Sequence, residues 1–221
     1  PEMWNSQVII MLLEGIRDTL YMTLASTLFG YIIGLPMGIV LTVTDKDGIR
    51  PNAAVYKVLD VISNLLRSIP FIILLIVLIP FTRFVVGRSY GSTATIVPLT
   101  IAAAPYIARM VESSLKEVDA GVIEAARSMG ASDFQIVTKV MLVEARTSLI
   151  VGATISLGTI LGYSAMAGTV GGGGLGDIAI RYGYTRWQTD IMVVTVVLLV
   201  ILFQIFQTIG MKIANRLDRR K

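Results

Sequence analysis

The chain has 221 residues, of which 54% are hydrophobic and only 15% are charged, and its mean hydropathy is +0.74. This composition excludes an ordinary soluble domain and indicates an integral membrane protein. The sequence contains no cysteine and no histidine, so it offers neither a thiol nucleophile nor an imidazole base or metal ligand. On a soluble chain the net charge of +4 would suggest a nucleic-acid partner; here Lys and Arg are expected to set the membrane orientation.

Five apolar stretches are long enough to cross a membrane, because a helix needs about 20 apolar residues to span a hydrocarbon core about 30 Å thick. The predicted spans are about 19–44, 59–80, 89–111, 147–168 and 191–211. The second contains Arg67 near one end, where a long side chain is expected to reach the headgroups. We therefore expect an all-α, polytopic membrane protein, with residues 1–221 forming a single transmembrane domain.

The residues before the first span carry apolar side chains at helical spacing, among them Val8, Leu12 and Ile16. This pattern is typical of a helix that lies along the membrane surface. It also fits an extension of the first span, and the sequence leaves both interpretations open.

The distribution of Lys and Arg predicts the orientation, since short cytoplasmic loops are enriched in positive charge. Thirteen of these residues fall on the side of the chain that includes the C-terminus and five on the opposite side, Arg67 left aside. We therefore expect a cytoplasmic C-terminus and an external N-terminus.

Two features of the spans bear on mechanism. Gly30, Gly34 and Gly38 form overlapping GxxxG steps, which favour close packing of a neighbouring helix. The apolar cores contain no Asp, Glu, His or Lys, so no proton relay is visible and an autonomous proton-coupled transporter is disfavoured. Five spans are too few to surround a path, which makes a homodimer the simplest assembly.

The connection 112–146 is amphipathic and is predicted to form two short helices on the cytoplasmic side. Gly130 is expected to end the first helix. Ser132 and Gln135 are spaced as a capping box that starts the second. Helices this short are marginal alone and need a surface to pack against.

The segment EAARSMGASDFQIVTKVMLV, which starts at Glu124, resembles the EAA loop of permease subunits of bacterial binding-protein-dependent ABC importers. The motif positions are occupied by Glu124, Ala125, Ala126, Gly130, Val140 and Leu142. Val143 stands where the family usually has proline, which bears on how sharply the second helix ends. The resemblance implies that Glu124, Ala125, Ala126 and Gly130 couple the permease to a cytoplasmic ATPase.

Three longer phrases are similar to the methionine-uptake group of that family. They are RSIPFIILL from Arg67, IVPLTIAAAPYIARMVE from Ile96 and GYSAMAGTVGGGGLGDIAIRYGY from Gly162. The resemblance implies a type I ABC importer permease in the bacterial inner membrane, which moves L-methionine and D-methionine. The implied partners are a second copy of the chain, two ABC ATPase subunits, an external methionine-binding protein and membrane lipid, with no nucleic acid.

The glycine-rich run after the fourth span formally satisfies G-x-G-x-x-G through Gly171, Gly173 and Gly176. A dinucleotide fingerprint must follow a strand and open a βαβ unit, whereas this run follows a membrane span. The chain also lacks the GxxxxGK[ST] phosphate loop. We therefore expect no cofactor on this chain, with ATP and magnesium held by the partner ATPase.

A gating role and a plain flexible connector are both open for Gly171 and Gly173. By the resemblance Met166 is a candidate for lining the translocation path, and ordinary packing is equally compatible with it.

Other functions remain alternatives. The same machinery could carry another amino acid, a quaternary amine or a phosphonate. An autonomous secondary transporter or channel is disfavoured by the missing intramembrane acids. An intramembrane enzyme would need a nucleophile or metal site, and without His, Cys or a buried acid pair we expect no enzymatic activity.

Overall fold

The computed structural model describes residues 4–218, and within that range the secondary structure is entirely helical. The α-helices are α1 (Ser6–Thr44), α2 (Ala53–Ser68), α3 (Phe71–Val77), α4 (Ile79–Val86), α5 (Gly91–Lys116), α6 (Ala120–Ser128), α7 (Asp133–Gln135), α8 (Leu142–Glu144), α9 (Arg146–Ala167), α10 (Gly174–Ile178) and α11 (Thr189–Leu217). Two π-helical segments, Ile136–Met141 and Ala179–Tyr184, and one 3₁₀ turn, Gly168–Val170, complete the set.

The first helix is a single element of 39 residues. At 1.5 Å per residue it is about 58 Å long, well beyond the hydrocarbon thickness. Val8, Leu12 and Ile16 therefore belong to an extension of the first apolar helix, and no separate surface helix precedes it in the described chain.

The second predicted span is not one helix. α2 ends at Ser68 and α3 begins at Phe71, with Pro70 between them. Proline lacks an N–H and disfavours helical geometry in the residue before it, which accounts for the break. Among residues 4–218, four helices are long and apolar enough to cross a membrane, and a fifth crossing requires α2 and α3 to count as one broken span.

The chain divides into two compact units, and the first comprises residues 4–29, 69–102 and 157–206. One of its apolar clusters joins residues of α1, α9, α10 and α11, namely Leu12, Leu161, Leu175, Ile178, Ile191 and Leu202. A second cluster includes Met22, Leu99 and Ala167. Phe71 also belongs to this cluster, and its ring stacks on that of Tyr163 with centroids 4.7 Å apart.

The second unit comprises residues 30–68, 103–156 and 207–218. Here the glycine stripe of α1 lies directly against α5. A Cβ on Gly34 would stand 2.7 Å from the Ala104 carbonyl oxygen, and one on Gly38 would stand 2.6 Å from the Ala108 carbonyl oxygen. The predicted close packing at the GxxxG steps is confirmed.

Candidate functional site

The connection between α5 and α9 begins with a short helix that is capped at both ends. The Asp119 side chain accepts a hydrogen bond from the Gly121 amide at 2.6 Å and caps the start of α6. At the other end Gly130 has φ +83°, which a side chain would strain. The amides of Gly130 and Ala131 donate to the carbonyls of Arg127 and Ala126, at 3.0 and 3.1 Å. This is a Schellman motif, and it confirms that Gly130 ends the helix.

The second helix of the connection starts with the predicted capping box. The Gln135 amide donates to Ser132 Oγ at 3.2 Å, and the Ser132 amide donates to Gln135 Oε1 at 2.9 Å. The helix then passes through the π-helical segment Ile136–Met141, which the sequence did not predict, and ends before Ala145. Val143, at the family's proline position, lies inside α8, so the turn into α9 comes at Ala145, two residues later.

The candidate coupling residues lie on the surface of the second unit. Glu124, Ala125 and Gly130 are exposed, and Ala126 is half-buried. Beside them Met129 is 87% exposed and Phe134 is 77% exposed. Two large apolar side chains projecting this far from a helical hairpin are suited to enter pockets on another protein. Because the resemblance implies an ATPase-coupling role for this part of the connection 112–146, we call residues 119–144 the coupling loop.

The loop between α1 and α2 contacts the coupling loop at two points. Arg127 Nη2 donates to the Ile49 carbonyl at 3.0 Å, and Arg50 forms an ion pair with Asp133 at 2.9 Å. The Arg50 side chain is 80% exposed, so the ion pair orients the loop more than it stabilises it.

A buried carboxylate lies where α5 leads into the coupling loop. Only 7% of the Glu112 side chain is exposed, yet it accepts three hydrogen bonds. Arg109 donates to one carboxylate oxygen at 2.8 Å, and Lys116 and Tyr56 donate to the other at 2.8 and 3.1 Å. The ionised form of Glu112 is therefore fully partnered.

The two cations bound to Glu112 reach further carboxylates. Arg109 also donates to the Asp60 carboxylate and to Asn64 Oδ1, the latter at 3.0 Å. Lys116 pairs with Asp45 at 2.9 Å, and this hydrogen bond holds the pKa of Asp45 below its usual value. These side chains, which we call the ion network, tie the residue after α1 and three residues of α2, namely Tyr56, Asp60 and Asn64, to the C-terminal part of α5.

Replacing Glu112 by glutamine is expected to destabilise the protein by about 2 kcal/mol, because both cations lose a buried partner while each keeps one carboxylate. Thermal melting of the purified protein in detergent measures this loss. Glu117→Gln removes the same charge from an exposed position five residues later and should change stability by less than about 0.5 kcal/mol. Equal shifts in the two variants would show that the buried contacts do not matter.

The glycine-rich run is an ordered part of the first unit. The Gly91 amide donates to the Gly171 carbonyl at 3.0 Å, and Thr95 Oγ1 donates to the Gly172 carbonyl at 2.9 Å. On its other side the Leu175 amide donates to Thr19 Oγ1 at 2.8 Å. These hydrogen bonds join the run to both α1 and α5.

Backbone conformation explains the glycine at position 173. Its φ is +80°, and a Cβ there would stand 3.2 Å from the Ser92 amide nitrogen. Met166, at the end of α9, is 45% exposed and so is not a core residue of the described chain. Met166, Gly171 and Gly173 thus belong to one segment of the first unit, whereas the coupling residues belong to the second.

No group of three or more acidic side chains in residues 4–218 is arranged to hold a metal ion. The main features of the described residues are the coupling loop, with the exposed Met129 and Phe134, and four helices long and apolar enough to cross a membrane. These features define the class of protein as a membrane permease component.

Comparison with known proteins identifies the family. Residues 19–221 match the family described as the inner membrane component of binding-protein-dependent transport systems, and the chain belongs to that family. It is 48% identical over 210 residues to the probable D-methionine transport system permease protein MetI of Vibrio cholerae, which covers 95% of this chain and 93% of that one. It is 53% identical over 168 residues to the D-methionine transport system permease protein MetI of Escherichia coli K12, covering 76% and 75%.

Solved structures show the same fold. A chain from the inward-facing MetNI methionine ABC transporter is 50% identical, with a TM-score of 0.95 over 97% of this chain and 100% of that one. A chain from an amino acid ABC transporter solved with histidines is 20% identical, with a TM-score of 0.77, and shows the fold alone.

Proposed function

We propose that the chain is the membrane-spanning subunit of an ATP-driven importer for methionine, including D-methionine. It works as a homodimer with two cytoplasmic ATPase subunits and an external methionine-binding protein, and ATP and magnesium are bound by the ATPase. The observation that carries the proposal is the 50% identity and TM-score of 0.95 to a chain of a methionine ABC transporter across 97% of this chain.

The coupling loop is the contact with the ATPase in this proposal. Glu124 and Ala125 are exposed and face the partner, while the half-buried Ala126 lies at the edge of this contact. Gly130 sets the angle between the two halves of the loop. A partner can shift the permease between its states only if it binds those states with different affinities. The caps and the ion network hold the loop in a fixed position on α5, so that a movement of the bound ATPase moves α5 as well.

The glycine segment is the external gate. Met166 lines the path at the end of α9, and Gly171 and Gly173 hold the turn that the hydrogen bonds to α1 and α5 fix in place. The excess of Lys and Arg supports a cytoplasmic C-terminus and coupling loop and an external N-terminus in the bacterial inner membrane.

Reconstitution tests the function. The chain is co-expressed with the ATPase subunit of its own transporter, and the complex is placed in proteoliposomes with the methionine-binding protein. We expect methionine accumulation that requires ATP and stops when the ATPase is inactivated by mutation. Accumulation without ATP would instead identify an autonomous transporter, and ATP-dependent uptake of another solute in preference to methionine would identify a different importer.

Replacing Phe134 by glutamate is expected to weaken binding of the ATPase by about 2 kcal/mol, since a charge would enter an apolar contact. Co-purification of the ATPase with the tagged permease measures the loss. The matched control is Phe84→Glu, because Phe84 is similarly exposed at 86% but lies in α4, far from the coupling loop in sequence. Undiminished co-purification of the Phe134 variant would show that this side chain lies outside the contact.

A further inference from the structure

Contacts within the second unit fix how α2 lies along α5. Asp60 binds Arg109, and one turn later Ser63 Oγ donates to the Pro105 carbonyl at 3.4 Å. Residue numbers therefore rise along α2 in the direction in which they fall along α5, so the two helices are antiparallel in this region. Asp60 and Arg109 mark the last charged level before the apolar part of α5.

Arg67 lies well beyond the level of Asp60 and Arg109 along the axis of α2. It follows Asp60 by seven residues, which places its Cα about 10 Å beyond the charged level at 1.5 Å per residue. The uncharged part of α5, Gly91–Ala108, is about 27 Å long. Arg67 is therefore level with a point more than a third of the way along the uncharged part of α5, farther from the charged residues than the span end at which the sequence placed it.

The guanidinium at this depth has no partner on its own chain. Arg67 is exposed, and within residues 4–218 it makes neither a hydrogen bond nor an ion pair. No other ionisable side chain occurs between residues 61 and 82. The helix ends one residue later, at Ser68, and the chain restarts as α3 after Pro70.

Lipid is a poor environment for this side chain. A buried cation in hydrocarbon is strongly unfavourable, and such residues face a water-filled cavity or a partner charge. The side chain of a helical residue leans toward the helix N-terminus, but the three-carbon stem of arginine falls short of the charged level about 10 Å away. Irregular backbone at membrane depth, as at the α2–α3 break, is likewise tolerated only where it is buried in protein or lines such a cavity.

We propose that Arg67 lines the water-filled path of the homodimer and binds the carboxylate of the amino acid as it passes. The proposal rests on the transport function proposed above and adds the group that the permease recognises. A guanidinium donates two parallel hydrogen bonds to a carboxylate, and every zwitterionic amino acid presents one. Recognition of the carboxylate leaves the thioether free, so discrimination between side chains must occur elsewhere.

Thiol labelling of the assembled complex tests this directly, because the wild-type chain contains no cysteine. Arg67→Cys is reacted in proteoliposomes with 2-aminoethyl methanethiosulfonate, which restores a positive charge, or with the 2-sulfonatoethyl reagent, which adds a negative one. Mass spectrometry of this chain reports modification in each nucleotide state, and uptake of methionine is measured before and after. Leu65→Cys, on the opposite face of α2 and also exposed, is the matched control.

We expect Arg67→Cys to lower methionine uptake about tenfold, because one charge-assisted hydrogen-bonded pair with the substrate is lost. ATP hydrolysis in the absence of methionine should persist. The aminoethyl reagent should restore much of the uptake and the sulfonatoethyl reagent should not. Absence of modification in every nucleotide state, or equal restoration by both reagents, would overturn the proposal. A wild-type complex that fails to take up methionine would refute the proposed substrate instead, and accessibility of the introduced thiol would still decide whether position 67 faces water.

Discussion

Replacing Gly34 by valine is expected to prevent assembly of a stable protein. A Cβ at this position would lie 2.7 Å from the Ala104 carbonyl oxygen and 2.9 Å from Ile107 Cβ. Neither atom is the end of a flexible side chain, so α1 and α5 would have to separate along the whole glycine stripe. We expect a loss of about 3 kcal/mol, a large part of the stability of a typical protein.

Yield of monodisperse protein and its melting temperature in detergent measure this effect. Gly162→Val is the matched control, because a Cβ on Gly162 meets no atom within 4 Å and the residue also lies inside a helix, α9. The control should stay within about 0.5 kcal/mol of the wild type. If the two variants melt alike, the close approach at Gly34 does not limit stability.

Features set by neighbouring residues were predictable from the sequence. The Ser132–Gln135 capping box and the Gly130 helix end depend on residues within one turn of each other, and both were confirmed. The glycine stripe was also predictable, because small residues four apart must share a helix face whatever the partner helix is.

Features assembled from distant segments were not predictable. Glu112 receives donors from its own helix and from Tyr56, which lies 56 residues earlier. The spacing of Arg109, Glu112 and Lys116 suggested at most helical ion pairs, since nothing in it indicates which other helix arrives. The break of the second span was signalled by Pro70, but proline is common in membrane helices without ending them, as Pro36 inside α1 shows.

Replacing Gly130 by valine is expected to uncouple transport from ATP hydrolysis, with uptake per ATP falling about tenfold or more. At φ +83° a β-branched residue is strained by about 1–2 kcal/mol, and the relief is a change of backbone angle at the end of α6. No atom lies within 4 Å of the added Cβ. The substitution therefore alters the direction of the coupling loop without disturbing the packing of the membrane helices.

Gly87→Val separates this directional effect from backbone strain. Gly87 has φ +87°, also ends a helix, α4, and also has no atom within 4 Å of a Cβ. Both variants should insert and melt alike, and both should retain ATP hydrolysis by the partner. Only the Gly130 variant should lose methionine uptake per ATP, because only its strain lies in the loop proposed to receive the ATPase movement. Equal loss in both variants would place the defect in folding, and full uptake by the Gly130 variant would remove the loop angle from the coupling mechanism.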